Sequence, residues 1–213
     1  MQMRRAMSAV RKQPDDYVIR LCASPGEVDA SAWNELLAAQ DEPTPFMRHE
    51  YLAALHESGS ATDGTGWMPN WLTLWRQGRL QAACPLYTKD HSYGEYVFDW
   101  AWANAYEQHG LAYYPKALVA VPFTPVPGSR LLARDTTSRR ALVERLLALC
   151  KSEKLSSLHL LFLSPADAQA CAAAGLMARH TVQFHWINHG WGDFDAFLAS
   201  LSQDKRKKIR QER

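Results

Sequence analysis

The chain has 213 residues, 47% of them hydrophobic and 22% charged, and a formal net charge of +2. That length supports one α/β domain with a sizeable core, and so small a net charge excludes a general nucleic-acid-binding protein. No apolar run reaches the ~18 residues of a membrane span.

Residues 1–16 read as a loose leader. They are basic but have no apolar h-region, so they are not a secretory signal, and a cytoplasmic location is the default expectation. The four cysteines, Cys22, Cys84, Cys150 and Cys171, lie far apart in no paired motif. They read as small buried hydrophobes in a reducing compartment.

Residues 17–22 alternate weakly, as a first strand would. A short helix follows over 30–40, with Trp33, Leu36 and Leu37 on its apolar face. Thr44 and Pro45 read as an N-cap and first helical residue, opening a helix that carries Met47, Tyr51, Leu52 and Leu55. Residues 58–66, rich in Gly, Ser and Thr, form a loop. The clearest hairpin spans 71–87 around Gln77-Gly78, with Leu80, Ala82, Cys84 and Leu86 predicted on one face. Pro85 cannot donate to a ladder and marks an edge or a bulge.

Residues 91–130 depart from ordinary helix-and-strand patterning. They hold Glu95, Asp99, Trp100, Trp102, the run Tyr113-Tyr114-Pro115-Lys116 and a loop with three prolines at 122–130. A carboxylate partly buried among these aromatics has a raised pKa and can serve as a general base. Glu95 and Asp99 read equally well as acids in the first turn of a helix, favoured there by its dipole. Lys116 suits a phosphate or carboxylate, and the two tyrosines offer walls and hydroxyl donors; a surface turn is the plainer reading. The 122–130 loop follows a predicted strand, 118–123, and is expected to precede a helix directly. At such a junction helix-end N–H groups can hold a ligand, with Thr124, Gly128 and Arg130 as candidates. A rigid crossover is the alternative. Pattern alone points to a small-molecule or acyl-transfer site.

A strong amphipathic helix covers 136–151, and residues 158–163 read as a buried strand. Ser164-Pro165 starts a helix that Gly175 stops. Residues 181–187 alternate cleanly and predict a last strand, with His185 on its polar face beside Thr181 and Gln183. His185 reads as a hydrogen-bonded structural residue or a ligand contact. No histidine or cysteine spacing suits a metal. Asp193 caps a predicted helix that runs into the basic tail, where Lys205, Arg206, Lys207, Lys208 and Arg210 read as a solvated face or as a patch for an anionic partner. Sequence-specific DNA readout is not expected without a recognition motif. The last nine residues hold six basic side chains and one acidic, and they end without a helix stop, as a cut through a longer protein would.

The expected fold is therefore α/β: a mixed, mainly antiparallel sheet with helices on both faces. This element order resembles the GNAT acyltransferase fold. The segments SYGEYVFDWAWANAY, YYPK, VPFTPVPGSR, QFHW and DKRKKIRQER together resemble a bacterial family of N-acyltransferases described as peptidoglycan biosynthesis or recognition proteins, distantly similar to Fem-type aminoacyltransferases. The resemblance implies a GNAT-like domain over 17–190, with 191–213 beginning the basic helix toward a second half. It implies transfer of an acyl or aminoacyl group to an amine, with Glu95 or Asp99 as base. Tyr113, Tyr114 or backbone N–H groups would hold the oxyanion, and Trp102, Lys116, Thr124, Gly128, Arg130 and His185 would line the donor or acceptor site. GNAT enzymes that use acetyl-CoA carry a glycine-rich pyrophosphate loop. Here one glycine and three prolines stand in its place, which leaves acyl-CoA and aminoacyl-tRNA both open as donors and calls for no metal. A non-catalytic module for peptidoglycan precursors is the alternative, and a homodimer burying an exposed face is a third.

Overall fold

The computed structural model describes residues 17–97 and 99–212. The predicted leader, 1–16, lies outside them. Contact clustering divides the chain into two compact units, the first ending at Ala178 and the second running from Arg179.

The first unit opens with strand β1 (Val18–Cys22). Helix α1 (Ala30–Ala38) follows, its first turn capped by the Asp29 side chain accepting from Ala32 N. Thr44-Pro45 begins only a 3-10 turn, and α2 (His49–Glu57) starts after it. Strands β2 (Met68–Pro69), β3 (Trp71–Arg76), β4 (Arg79–Cys84) and β5 (Leu86–Lys89) then build one long hairpin. Its turn has φ of 50° at Gln77 and 74° at Gly78. Positive φ at both central residues is the type I′ geometry that matches strand twist.

The predicted single sheet is two four-stranded sheets, ordered β1-β3-β4-β7 and β2-β5-β6-β8. Strand β6 is Lys116–Val119, β7 is Leu132–Ala133 and β8 is Leu158–Leu160. Both arms of the hairpin change sheets at one level. Leu72 faces Cys84 in the first sheet and Pro69 faces Tyr87 in the second. Between them Asn70 N donates to Leu86 O at 2.8 Å, while Pro85 has no N–H to offer. Register survives the crossing; the ladder is interrupted at the proline.

A bulge corrects the predicted face of β4. Leu74 pairs with Ala82, but Trp75 pairs with Leu80, which leaves Gln81 as the extra residue. An extra residue reverses alternation beyond it. Leu80 therefore packs with Trp33, Trp71 and the first two helices. Ala82, Cys84 and Leu86 pack on the other side with Leu142 and Leu146 of α4 (Thr136–Ser152). Helices thus lie on both faces, as expected. Cys22, Cys84 and Cys171 are buried and Cys150 half-buried, all as free thiols.

Strand β6 is parallel to β8 and antiparallel to β5. The crossover between β6 and β8 passes through β7 and α4, and α5 (Pro165–Ala173) follows with Ser164 accepting from Asp167 N at its cap. Through α5 the order is the one the GNAT resemblance implies: strand, two helices, antiparallel strands, then a crossover to a parallel strand.

The second unit departs from expectation. Residues 179–189 form no strand. Phe184 is 98% exposed, Val182 78% and Trp186 67%, so the alternation at 181–187 has no face to bury. The predicted single helix is two, α6 (Phe194–Ala199) and α7 (Gln203–Gln211). The break falls at Ser202, whose extended ψ of 156° restarts the helix. Among the described residues no helix is long and apolar enough to cross a membrane.

Candidate active site

Two lysines on adjacent strands anchor the site. Lys89 ends β5, Lys116 begins β6, and they are direct register partners. Directly opposed residues of an antiparallel pair project to the same side, so two ammonium groups enter the interior together. Neither is accessible to solvent. Like charges so placed need compensation, and the insert supplies it.

Glu95 is turned inward between Gly94, at φ 80°, and Tyr96, at φ 57°. Asp99 occupies the position before helix α3 (Trp100–Gln108), and its side chain does not cap that helix. Both carboxylates reach Lys116 instead. Lys116 Nζ donates to Glu95 Oε2 at 2.9 Å, Asp99 Oδ2 at 2.7 Å and Ser92 Oγ at 2.7 Å. Asp99 Oδ2 also accepts from Tyr113 OH at 2.8 Å and Ser92 Oγ at 2.8 Å. Ser92 Oγ spends its hydrogen on Asp99, so at its 2.9 Å contact with Tyr114 the tyrosine is the donor.

This network consumes the hydrogens of Lys116, Ser92, Tyr113 and Tyr114. Among the described residues Glu95 Oε1 is its one buried side-chain oxygen without a partner. Burial raises the Glu95 pKa against the pull of Lys116. Burial acts the same way on Asp99, but the hydrogen bonds from Lys116, Tyr113 and Ser92 outweigh it and hold that carboxyl below its usual range. The two acids four residues apart are therefore electrostatically different groups. Burial, then Asp99, pushes the Tyr113 phenol up.

Lys89 is the less satisfied cation. Its Nζ reaches Tyr93 O at 3.4 Å and lies 3.9 Å from the centre of the Trp67 ring. Burial lowers its pKa to about 8, with Glu95 opposing the shift.

The proline loop meets the insert at its first residues. Phe123 N donates to Gly94 O at 3.1 Å, and the Phe123 ring lies 5.5 Å from that of Trp67. Thr124 Oγ1 donates to Pro122 O at 2.9 Å and is 3.1 Å from Tyr51 OH. Tyr93, Tyr96, Trp100 and Phe123 are all at least 40% exposed, an aromatic border on the segment that covers Glu95.

The far end of the loop has another role. It precedes β7, not a helix, and the N-terminus of α4 is filled by Asp135, whose Oδ1 accepts from Ser138 N at 2.7 Å. The N–H groups that follow Pro127 in the loop are bonded within the protein. Gly128 N donates to Phe162 O and Ser129 N to Glu42 O, each at 3.0 Å. Arg130 N and Leu131 N both donate to Asp167 Oδ2, at 2.6 and 3.0 Å. A buried carboxylate from α5 thus occupies the nest a phosphate would take. Burial raises the Asp167 pKa. The Arg130 guanidinium is also buried and donates through Nη2 to Val126 O.

Of the predicted residues, the structure gathers Glu95, Asp99, Tyr113, Tyr114 and Lys116 into one cluster and brings the 123–124 end of the loop against the insert. Gly128 and Arg130 face the 42–44 segment and α5. Trp102 is 40% exposed on α3. His185 lies in the second unit on its exposed, irregular stretch, and the five basic residues of the tail are on α7. Ser92, Lys89 and Asp167 were not singled out. Lys89 carried a signal: two residues after buried Tyr87 it shares that residue's inward phase. Asp167 reads from sequence only as a first-turn helix acid.

A family model described as FemAB-like, peptidoglycan biosynthesis/recognition, matches residues 24–213. No curated protein matches the sequence significantly. The solved structure of a Trypanosoma brucei acetyltransferase superposes with a TM-score of 0.45 and 15% sequence identity, covering 81% of this chain and 100% of that one; the likeness is too distant to bear on function.

Proposed function

The chain belongs to the FemAB-like family of peptidoglycan biosynthesis and recognition, and from that premise we propose that it takes part in N-acyl transfer, with Glu95 as the general base. The observation that carries this reading is that, among the described residues, Glu95 Oε1 is buried without a partner in a network whose hydrogens are all spent on other acceptors. A carboxylate with raised proton affinity, fixed through one oxygen and unpartnered at the other, suits proton removal from an amine. Asp99 is assigned a positioning role: its bonded oxygen already accepts from three donors, and it holds Lys116, Tyr113 and Ser92 in place. The donor is an acyl or aminoacyl ester rather than an acyl-CoA bound in the usual mode. The bonded N–H groups of residues 128–131 and the self-capped α4 support that choice. The acceptor is an amine of a peptidoglycan precursor.

The full burial of Glu95, Asp99 and Lys116 favours a second reading, in which the cluster is a structural keystone and the protein only binds the precursor. Labelled acetyl-CoA, palmitoyl-CoA and alanyl-tRNA, each offered with a disaccharide pentapeptide acceptor, separate the two. The transfer reading expects label to move from one donor, and Glu95→Gln to lower turnover about 10²-fold or more with acceptor binding retained. Acceptor binding by calorimetry without transfer from any donor selects the binding reading. Neither binding nor transfer removes both.

A further inference from the structure

Nucleophilic attack on an acyl carbon needs a donor for the carbonyl oxygen as well as a base. Tyr113, Tyr114 and the loop N–H groups are the candidates from sequence, and both tyrosines and the N–H groups of residues 128–131 are already engaged. Tyr113 OH is given to Asp99 and Tyr114 OH to Ser92. Lys116 has three N–H bonds and three acceptors. The N–H groups of residues 128–131 are bonded within the protein.

Lys89 is different. Its ammonium is wholly buried and has one acceptor among the described residues, Tyr93 O, at a long 3.4 Å, with the face of Trp67 on another side. It is the cross-strand neighbour of Lys116, which grips Glu95 by Oε2 and leaves the buried Oε1 without a partner among the described residues. The Trp67 Nε1–H is a second buried donor without a partner among the described residues. One small region thus holds spare buried donors and one spare buried acceptor. An acyl carbonyl with an attacking amine beside it presents the complementary pair.

We propose that Lys89 is the oxyanion-binding residue of this site: its ammonium holds the carbonyl oxygen of the acyl group while Glu95 Oε1 takes the proton of the attacking amine. The assignment rests on the acyl-transfer reading. The amine nitrogen bonds to the acyl carbon, and the carbonyl π electrons move onto oxygen opposite Lys89. The amine proton passes to Glu95. Collapse of the tetrahedral intermediate restores the carbonyl and breaks the ester bond, and the departing oxygen takes the proton back from Glu95. Lys89 must be protonated throughout.

Burial brings the Lys89 pKa down to about 8, with Glu95 and Asp90 acting against it and Lys116 with it. The rate should therefore fall as pH rises through that value. Arginine does not titrate there, so Lys89→Arg should carry the alkaline limb to higher pH, which a purely structural lysine would not do. Lys89→Met should lower kcat about 10²- to 10³-fold with KM changed less than about threefold. The test is the pH profile of transfer to the disaccharide pentapeptide, from the same three donors, for wild type and both variants. A flat wild-type profile through the alkaline range, or full kcat in a folded Lys89→Met, overturns the assignment and leaves Glu95 as base untouched. If Lys89→Met does not fold, the wild-type and Lys89→Arg profiles decide. No transfer by wild type from any donor overturns the transfer reading itself, and the Lys89 role with it.

Discussion

Lys116 has as many acceptors as hydrogens, and both carboxylates that compensate it are buried. Removing one member of a buried ion cluster costs far more than the cluster contributes, because the others remain charged and unpaired. Lys116→Met is expected to destabilise the fold by about 3–5 kcal/mol, read from the midpoint of urea unfolding; a loss well under 1 kcal/mol would mean that water reaches the carboxylates. The pH response has opposite signs at the two acids. Asp99, held below its unfolded value, stabilises the fold above that value, and this is lost as pH falls through its folded pKa. Glu95, raised by burial, makes the fold less stable as pH climbs from its unfolded value through its folded one. Asp99→Asn should therefore flatten the acid limb of a stability–pH curve, while Glu95→Gln should remove the decline above it.

At the level of elements, the crossover loop is held by contact rather than by its prolines alone. A Cβ on Gly128 would fall 2.5 Å from Thr44 Cγ2 and 3.2 Å from Glu42 O. Gly128→Ala should cost about 1–3 kcal/mol through overpacking, added to the strain of a side chain at the φ of 157° this residue adopts. Thr44→Ser removes the methyl in the way, so the double variant should recover part of that loss; equal stability of single and double variants would move the strain to Glu42. The hairpin shows which element-level features sequence carries. Its turn was readable from Gln77-Gly78 and its interruption from Pro85. The bulge at Gln81 was not, because the pattern from Leu80 to Leu86 alternates without a break and only the pairing with β3 shows two registers.

Across the molecule, the two units differ in how their apolar residues are used. In the first, the periodic positions form three buried clusters. In the second, Val182, Phe184 and Trp186 alternate as in a strand yet stay exposed. Amides of Val182, Phe184 and Trp186 should exchange with deuterium much faster than those of β3 and β4. Protection at 181–187 comparable with the hairpin would show that the segment pairs in solution.

Helix caps at Ser164 and Asp193, the Gln77-Gly78 turn and the stripe of α4 were all determined by the sequence, because each depends on residues within about one helical turn or one strand repeat. The insert was also recognisable from its composition as unlike the rest of the chain. Only the tertiary structure decided the division into two sheets, the failure of the last strand to form, and which acid is left free. Those outcomes depend on pairings such as Lys116 with Glu95 and Asp99, 21 and 17 residues away, and Arg130 with Asp167, 37 away. A buried charge is assigned its role by what folds against it, and local pattern does not hold that information.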